Sequence, residues 1–304
     1  MKYSVCHDSR IGCRSMNQDR LDWAQTPVAV LLVVADGMGG HRLGDVAAQV
    51  AVERIMQAFL QAATPRLENP QQFLAEAVTA AHRAINDYAA QRAIPLDDAP
   101  RTTCVACVIQ DGQALWAHVG DSRLYHLRWG RTLTRTRDHS RVQMLIDAGQ
   151  ITEREALTHP QRNLVFNCLG GDTPPHIDLS RPTPLAPGDI LALCSDGAWA
   201  PTGDRFSSAF ALPIERAVPF LLDAAEEAAG ASCDNLTLLV LRWDSADGQH
   251  EAVDDDPATQ PLSTVSTIIQ NFAEAAILTE ADIERSVAEI RDSILSQKSN
   301  GATK

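Results

Sequence analysis

Hydrophobic residues along this chain recur at two spacings, and the spacing assigns the elements. Val28 to Ala35 is an unbroken apolar run ending at Asp36-Gly37, which predicts a buried strand that hands an aspartate to a tight turn. Asp45 to Gln61 instead carries Val46, Val50, Ile55 and Phe59 at near-helical spacing, and a second helix is expected over about Gln71 to Arg92, after Pro70. Strand-like runs follow at Thr102 to Gln110, Ala114 to Val119 and Leu124 to Leu127, the first two joined by the hairpin signal Asp111-Gly112. Later strands are expected at Ile190 to Cys194 and Leu236 to Arg242, with a helix between them at about Ile214 to Ala229. Consecutive hairpins and paired helices, with no strand-helix-strand repeat, predict an α+β fold with largely antiparallel sheets.

After Trp243 the pattern changes. Residues 244–261 contain Asp254-Asp255-Asp256, two prolines and almost no large apolar residue, which predicts an acidic flexible linker. Residues 262–297 return to helical spacing at Val265, Ile269, Phe272 and Ala276, then at Ile283, Val287, Ile290 and Ile294. This C-terminal helical tail has an apolar stripe that must be covered, by the domain, a second copy of the chain or a docked partner. Three parts are therefore expected: 1–243, the linker and the tail.

Composition narrows the function. With 26 Lys+Arg against 39 Asp+Glu the chain carries a net charge of −13, which argues against a nucleic-acid partner. Seven of those excess charges fall after Asp244, where eleven acids face four bases. No stretch has the roughly 20 apolar residues of a membrane helix, and Met1 to Ser9 lacks the pattern of a signal peptide. A cytoplasmic protein with no membrane association is expected. The seven cysteines are scattered and odd in number, which favours reduced thiols. Cys104 and Cys107 have metal-site spacing, but within a strand that spacing puts them on opposite faces. The arginines at 128, 131, 135, 137 and 141 read as a solvated hairpin face.

Candidate chemistry lies where acids border apolar strands. Asp36, Asp196 and Asp234 each sit at the end of, or just before, such a strand, so their carboxylates are expected to gather at one end of a sheet. Gathered carboxylates repel one another unless a cation neutralises them, and oxygen ligands without His or Cys select Mg²⁺ or Mn²⁺.

Six segments in order make the sequence recognisable: Arg14-Ser15-Met16-Asn17-Gln18-Asp19, Asp36-Gly37-Met38-Gly39-Gly40-His41, Gly120-Asp121-Ser122-Arg123, Asp138-His139-Ser140, Ser195-Asp196-Gly197 and Asp234-Asn235-Leu236-Thr237. Over about Lys2 to Trp243 they resemble the bacterial type of the protein phosphatase 2C family. The resemblance implies a two-layer antiparallel β-sandwich flanked by helix pairs and a metal centre at one edge. It also implies metal-dependent hydrolysis of phosphoserine and phosphothreonine in proteins, by a hydroxide that bridges two metals. By the same resemblance Asp36 would bridge both metals, the Gly37 carbonyl would bind the second, and Asp196 and Asp234 would complete the first. Asp121 would join Asp196 at a third metal, and Asp19 would hold a metal-bound water. Arg14 would grip the phosphate and His41 would protonate the departing oxygen. The implied cofactors are two to three Mn²⁺ or Mg²⁺ ions, and the implied partner is a protein phosphorylated by a serine/threonine kinase. Gln18 stands where the family often has glutamate, and Arg101 where it usually has glycine. Two other readings remain open on sequence: a metal-bound, inactive phosphoprotein scaffold, and a hydrolase of small phosphoesters.

Overall fold

The computed structural model describes residues 1–38, 43–95, 98–203 and 205–245. Its strands are β1 (Lys2–Arg10), β2 (Asp19–Gln25), β3 (Ala29–Asp36), β4 (Cys104–Gln110), β5 (Gln113–Val119), β6 (Arg123–Arg128), β7 (Arg131–Arg135), β8 (Asp178–Leu179), β9 (Thr183–Pro184), β10 (Ile190–Cys194) and β11 (Leu236–Ser245). The helices are α1 (Gly44–Ala62), α2 (Pro70–Gln91), α3 (Arg141–Asp147), α4 (Glu153–Ala156), α5 (Asp196–Trp199), α6 (Arg205–Ala209) and α7 (Ile214–Ala229).

The strands form two antiparallel sheets, one ordered β1-β11-β10-β6-β7 and the other β2-β3-β4-β5-β8, with β9 also on β5. Alternation along each strand divides its side chains between two cores. Val30, Leu32 and Val34 of β3 meet Leu191, Leu193, Leu239, Leu241 and Trp243 between the sheets. Leu31, Val33 and Ala35 point the other way, against Val46, Val50, Ile55 and Phe59 of α1 and Leu74 and Ile85 of α2. The run 29–35 is unbrokenly apolar because both of its faces are buried. Cys104 packs under the helices and Cys107 between the sheets, on opposite faces as their spacing predicts.

The fold is thus an α-β-β-α sandwich, with one difference from expectation. On the β1-β11-β10-β6-β7 sheet the outer layer is one long helix, α7, with the short α5 and α6, rather than a pair of long helices. The 244–261 linker and 262–297 tail lie outside the described residues, except that Asp244 and Ser245 continue β11.

The polar edge strands escape sequence reading. β1 and β2 lie at sheet edges with most positions half-buried or exposed, and neither has an apolar run. At the Asp111-Gly112 hairpin both residues have positive φ, 54° and 69°, as a two-residue type I′ turn requires. Trp129-Gly130 repeats that geometry, at 53° and 69°, between β6 and β7. The arginine run is mostly paired rather than freely solvated. Arg128 forks onto buried Asp189, Arg135 meets Glu153 of α4, and Arg137 meets Asp147 of α3.

Candidate metal centre

The strands deliver the candidate aspartates from both sheets, which corrects the expectation of a single sheet end. Asp36 is the last residue of β3, and Asp19, the first residue of β2, lies directly opposite it. Asp196 opens α5 immediately after β10, and Asp234 precedes β11. The carboxylates of Asp19, Asp196, Asp121 and Asp234 all act on Asp36, so the five meet where the sheets face each other.

Each is held by its backbone. The Asp36 N–H donates to Thr103 Oγ1 at 3.0 Å, and its carbonyl accepts from the Thr103 N–H at 2.8 Å and Thr102 Oγ1 at 2.9 Å. The Gly37 N–H donates to the Gln18 carbonyl at 3.1 Å, and a Cβ on Gly37 would stand 2.2 Å from the Gly44 carbonyl. A Cβ on Gly197 would stand 2.0 Å from the Asn235 carbonyl. These two glycines let the chains carrying the ligands approach closely. Ser195 Oγ donates to Asp19 Oδ2 at 2.6 Å, while Asp19 Oδ1 is buried with no hydrogen-bond partner.

Arg14 reaches the same place. Its Nη2 donates to Asp234 Oδ2 at 2.6 Å, with the guanidinium half-exposed. The loop that carries it is fastened by Asn235, whose Nδ2 donates to the carbonyls of Ile11 at 2.9 Å and Met16 at 3.0 Å while its Oδ1 accepts from the Gln18 N–H at 2.8 Å. Asp121 is buried, and its carbonyl accepts from Trp199 Nε1 at 3.1 Å. Arg123 lies over that indole at 3.2 Å and forks onto Asp138. His41 lies outside the described residues. Sequence reading assigned no role to Asn235, Ser195 or Trp199. The first two stood inside the quoted motifs, whereas Trp199 had only its position one helical turn after Asp196 to mark it.

Burial, reinforced by neighbouring carboxylates, raises Asp36 and Asp121 well above the usual carboxylate range. Burial and then the charges of Asp234 and Asp19 push Asp196 up to about 7. Burial pushes Asp19 up to about 6 even though Ser195 and Thr237 hydrogen-bond to it. Carboxylates raised in this way need positive charge to ionise together, and an all-oxygen set with an unpartnered buried oxygen fits a hard divalent cation.

The shifts predict a pH dependence. A carboxyl raised in the folded state holds a proton that the unfolded chain releases, so its contribution is present at low pH and is lost as pH rises. Without metal, the contribution of Asp196 is expected to be lost between pH 3.8 and about 7. Added Mn²⁺ is expected to raise the melting temperature most at the upper end of that window. Melting curves test this: a metal-free fall no shallower in Asp196→Asn than in the parent chain contradicts the assignment.

Comparison with known proteins agrees with this geometry. The family profile described as Protein phosphatase 2C matches residues 7–227. The chain is 29% identical over 245 residues to protein phosphatase PhpP of Streptococcus pneumoniae, covering 78% of this chain and 95% of that one. The solved structure of serine/threonine phosphatase Stp1 from Staphylococcus aureus superposes with a TM-score of 0.73 at 27% identity, over 81% of this chain and 96% of that one. The catalytic domain of the serine/threonine protein phosphatase PstP, in complex with two manganese ions, superposes with a TM-score of 0.65 at 28% identity, over 80% and 99% of the two chains. A profile that spans most of the described domain, relatives matched nearly end to end and an acidic centre between two sheets lead to one conclusion: this chain belongs to the protein phosphatase 2C family.

Proposed function

We propose that residues 1–243 form the catalytic domain of a phosphatase that uses two to three Mn²⁺ or Mg²⁺ ions and acts on proteins phosphorylated by a serine/threonine kinase. The chain is a metal-dependent serine/threonine protein phosphatase. The observation that carries the site assignment is the meeting of five carboxylates from two sheets with Arg14 already on Asp234. Asp36, the Gly37 carbonyl, Asp196 and Asp234 would hold two of the ions, and Asp121 with Asp196 would hold the third.

Bound divalent cations supply a water acidic enough to act as nucleophile near neutral pH and offset the charge of the phosphoryl group. The chain's own groups do the rest. Asp19 Oδ1, free of any hydrogen-bond partner, accepts a hydrogen bond from a water and orients it, while Ser195 holds the other oxygen. Arg14 binds the equatorial phosphoryl oxygens, where charge gathers during transfer. His41 protonates the serine or threonine oxygen as it departs.

For Arg14→Ala the expected result is a rise of about 10–100-fold in KM for a phosphopeptide, the loss of charge-assisted hydrogen bonds to the substrate, with Mn²⁺ affinity much less affected. Unchanged steady-state kinetics would remove Arg14 from the site. The function itself is tested by comparing phosphoserine and phosphothreonine peptides with free nucleotides at equal concentration, with Mn²⁺ and then with chelator. Faster turnover of nucleotides, or turnover that survives the chelator, would overturn it. Among the described residues no helix is long and apolar enough to cross a membrane. The cysteines there are free thiols, which supports a cytoplasmic setting.

A further inference from the structure

Two cysteines flank residues of the centre without belonging to it. Cys13 immediately precedes Arg14, and Cys233 immediately precedes Asp234. They lie at opposite ends of the domain sequence and together in the fold. The Cys13 N–H donates to the Cys233 carbonyl at 3.0 Å. Cys13 Sγ and the Cys233 N–H both donate to one acceptor, the Gly230 carbonyl, at 3.3 Å and 3.1 Å. That shared acceptor places the Cys13 thiol beside the Cys233 amide. Gly12 permits the approach, since at its φ of 58° an added Cβ would stand 2.0 Å from the Asp234 carbonyl and 3.2 Å from that of Cys233.

A direct backbone hydrogen bond sets the two Cα atoms about 5–6 Å apart, in the middle of the range that disulfides span. The thiols are neighbours as well. Burial raises the Cys233 thiol above its ordinary value, and Cys13 is the first of the surrounding groups that add to the rise. Access differs between the two. Cys13 is exposed, whereas Cys233 is buried with its Sγ donating to the Asp234 carbonyl at 3.5 Å. The strand cysteines Cys104, Cys107 and Cys194 are fully buried, so an oxidant in solution meets Cys13 before any of them.

We propose that Cys13 and Cys233 are an oxidation site, forming a reversible disulfide in the presence of a peroxide, and that the crosslink disables the phosphate grip of Arg14, a consequence that rests on the phosphatase reading. The Cys13 sulfur attacks one peroxide oxygen, the O–O bond breaks, and a sulfenic acid and one water result. The Cys233 sulfur then attacks the Cys13 sulfur, the S–S bond forms, and the hydroxyl leaves with the Cys233 proton as a second water. Two electrons and two protons have passed from the thiols to the peroxide. A reducing dithiol restores both thiols by exchange. In reducing compartments, transient redox-active disulfides are the kind that occur. In the reduced chain Cys13 Sγ is held at the Gly230 carbonyl while Arg14 lies on Asp234 at 2.6 Å. The crosslink removes that thiol donor and draws Cys13 toward the buried sulfur. The next residues along the chain are Arg14 and Asp234, so guanidinium and carboxylate are re-aimed together.

The test treats the full-length protein, loaded with Mg²⁺ that peroxide does not oxidise, with hydrogen peroxide, removes the excess with catalase, and maps thiols by alkylation and mass spectrometry. The expected result is a linked peptide pair containing Cys13 and Cys233, and a rise of about 10-fold or more in KM for a phosphopeptide, in the range expected for loss of the Arg14 contact. Dithiothreitol reverses both. Cys13→Ser abolishes the link and keeps its KM after peroxide, while Cys233→Ala leaves Cys13 as a sulfenic acid that dimedone traps. Cys13 is exposed, so its variant tests the pair even where a Cys233 variant does not fold. No linked peptide, a linked peptide with unchanged KM, or a peroxide effect on KM that persists in Cys13→Ser overturns the proposal. The link is read by mass rather than by turnover, so its absence leaves the phosphatase assignment untouched, whereas a reduced chain without turnover counts against that assignment alone.

Discussion

Asp36→Asn is expected to lower phosphopeptide turnover by at least about 10³-fold at saturating Mn²⁺, since a direct ligand at the centre is worth more than the 10–100-fold typical of an outer partner. The same variant is expected to melt higher than the parent chain when both are metal-free. Asp36 bears burial as well as the repulsion of four other carboxylates, and the amide spares the metal-free fold the cost of keeping that carboxyl protonated. The two effects must have opposite signs for the proposed role to hold. A variant that loses activity and also loses metal-free stability would mark Asp36 as a structural residue, and one that keeps activity would remove it from the centre. Titration of Mn²⁺ against turnover, paired with metal-free melting curves, separates these outcomes.

The second large effect is expected from Gly197→Ala. The new methyl would lie 2.0 Å from the Asn235 carbonyl and 3.4 Å from Asp234 Cβ, and backbone cannot yield as a side-chain end can. Overpacking of this kind costs about 1–3 kcal/mol, or roughly 2–12 °C in melting temperature for a domain of this size. The displacement would separate Asp196 from Asp234, and Asn235 would carry the strain into the Arg14 loop through its bonds to Ile11 and Met16. Mn²⁺ affinity and substrate KM are therefore expected to worsen together. A variant with unaltered melting and unaltered Mn²⁺ dependence would contradict the close packing of these two chains.

Particular residues show why some of this was legible in the sequence. The helix Ile214–Ala229 and the strand Ile190–Cys194 have the predicted bounds because each is apolar on a face or faces that must be buried. Asp36, Asp196 and Asp234 stood out because an acid at the end of such a strand has no packing reason to be there. β1 and β2 were hidden, since an edge strand buries one side partially and carries polar residues on the other. Their absence from the prediction also hid the union of the two sheets at the centre, where Asp19 of β2 faces Asp36 of β3. The six-motif resemblance supplied the sandwich, which periodicity alone did not. Asn235 and Trp199 act through contacts with distant backbone, and no local pattern signals such contacts.

The place of β11 between β1 and β10 has a kinetic meaning. Its pairing joins residue 2 to residue 245, and closing a loop of that length costs about 5 kcal/mol of chain entropy before any contact repays it. Asp234 and Asn235 arrive with that strand, so the full set of carboxylates meets only when the first sheet closes. Topology this nonlocal folds slowly, and a centre completed at its last step contributes little to the transition state. Divalent cations are thus expected to act as a lock on the finished domain, slowing its unfolding while leaving its folding rate nearly unchanged.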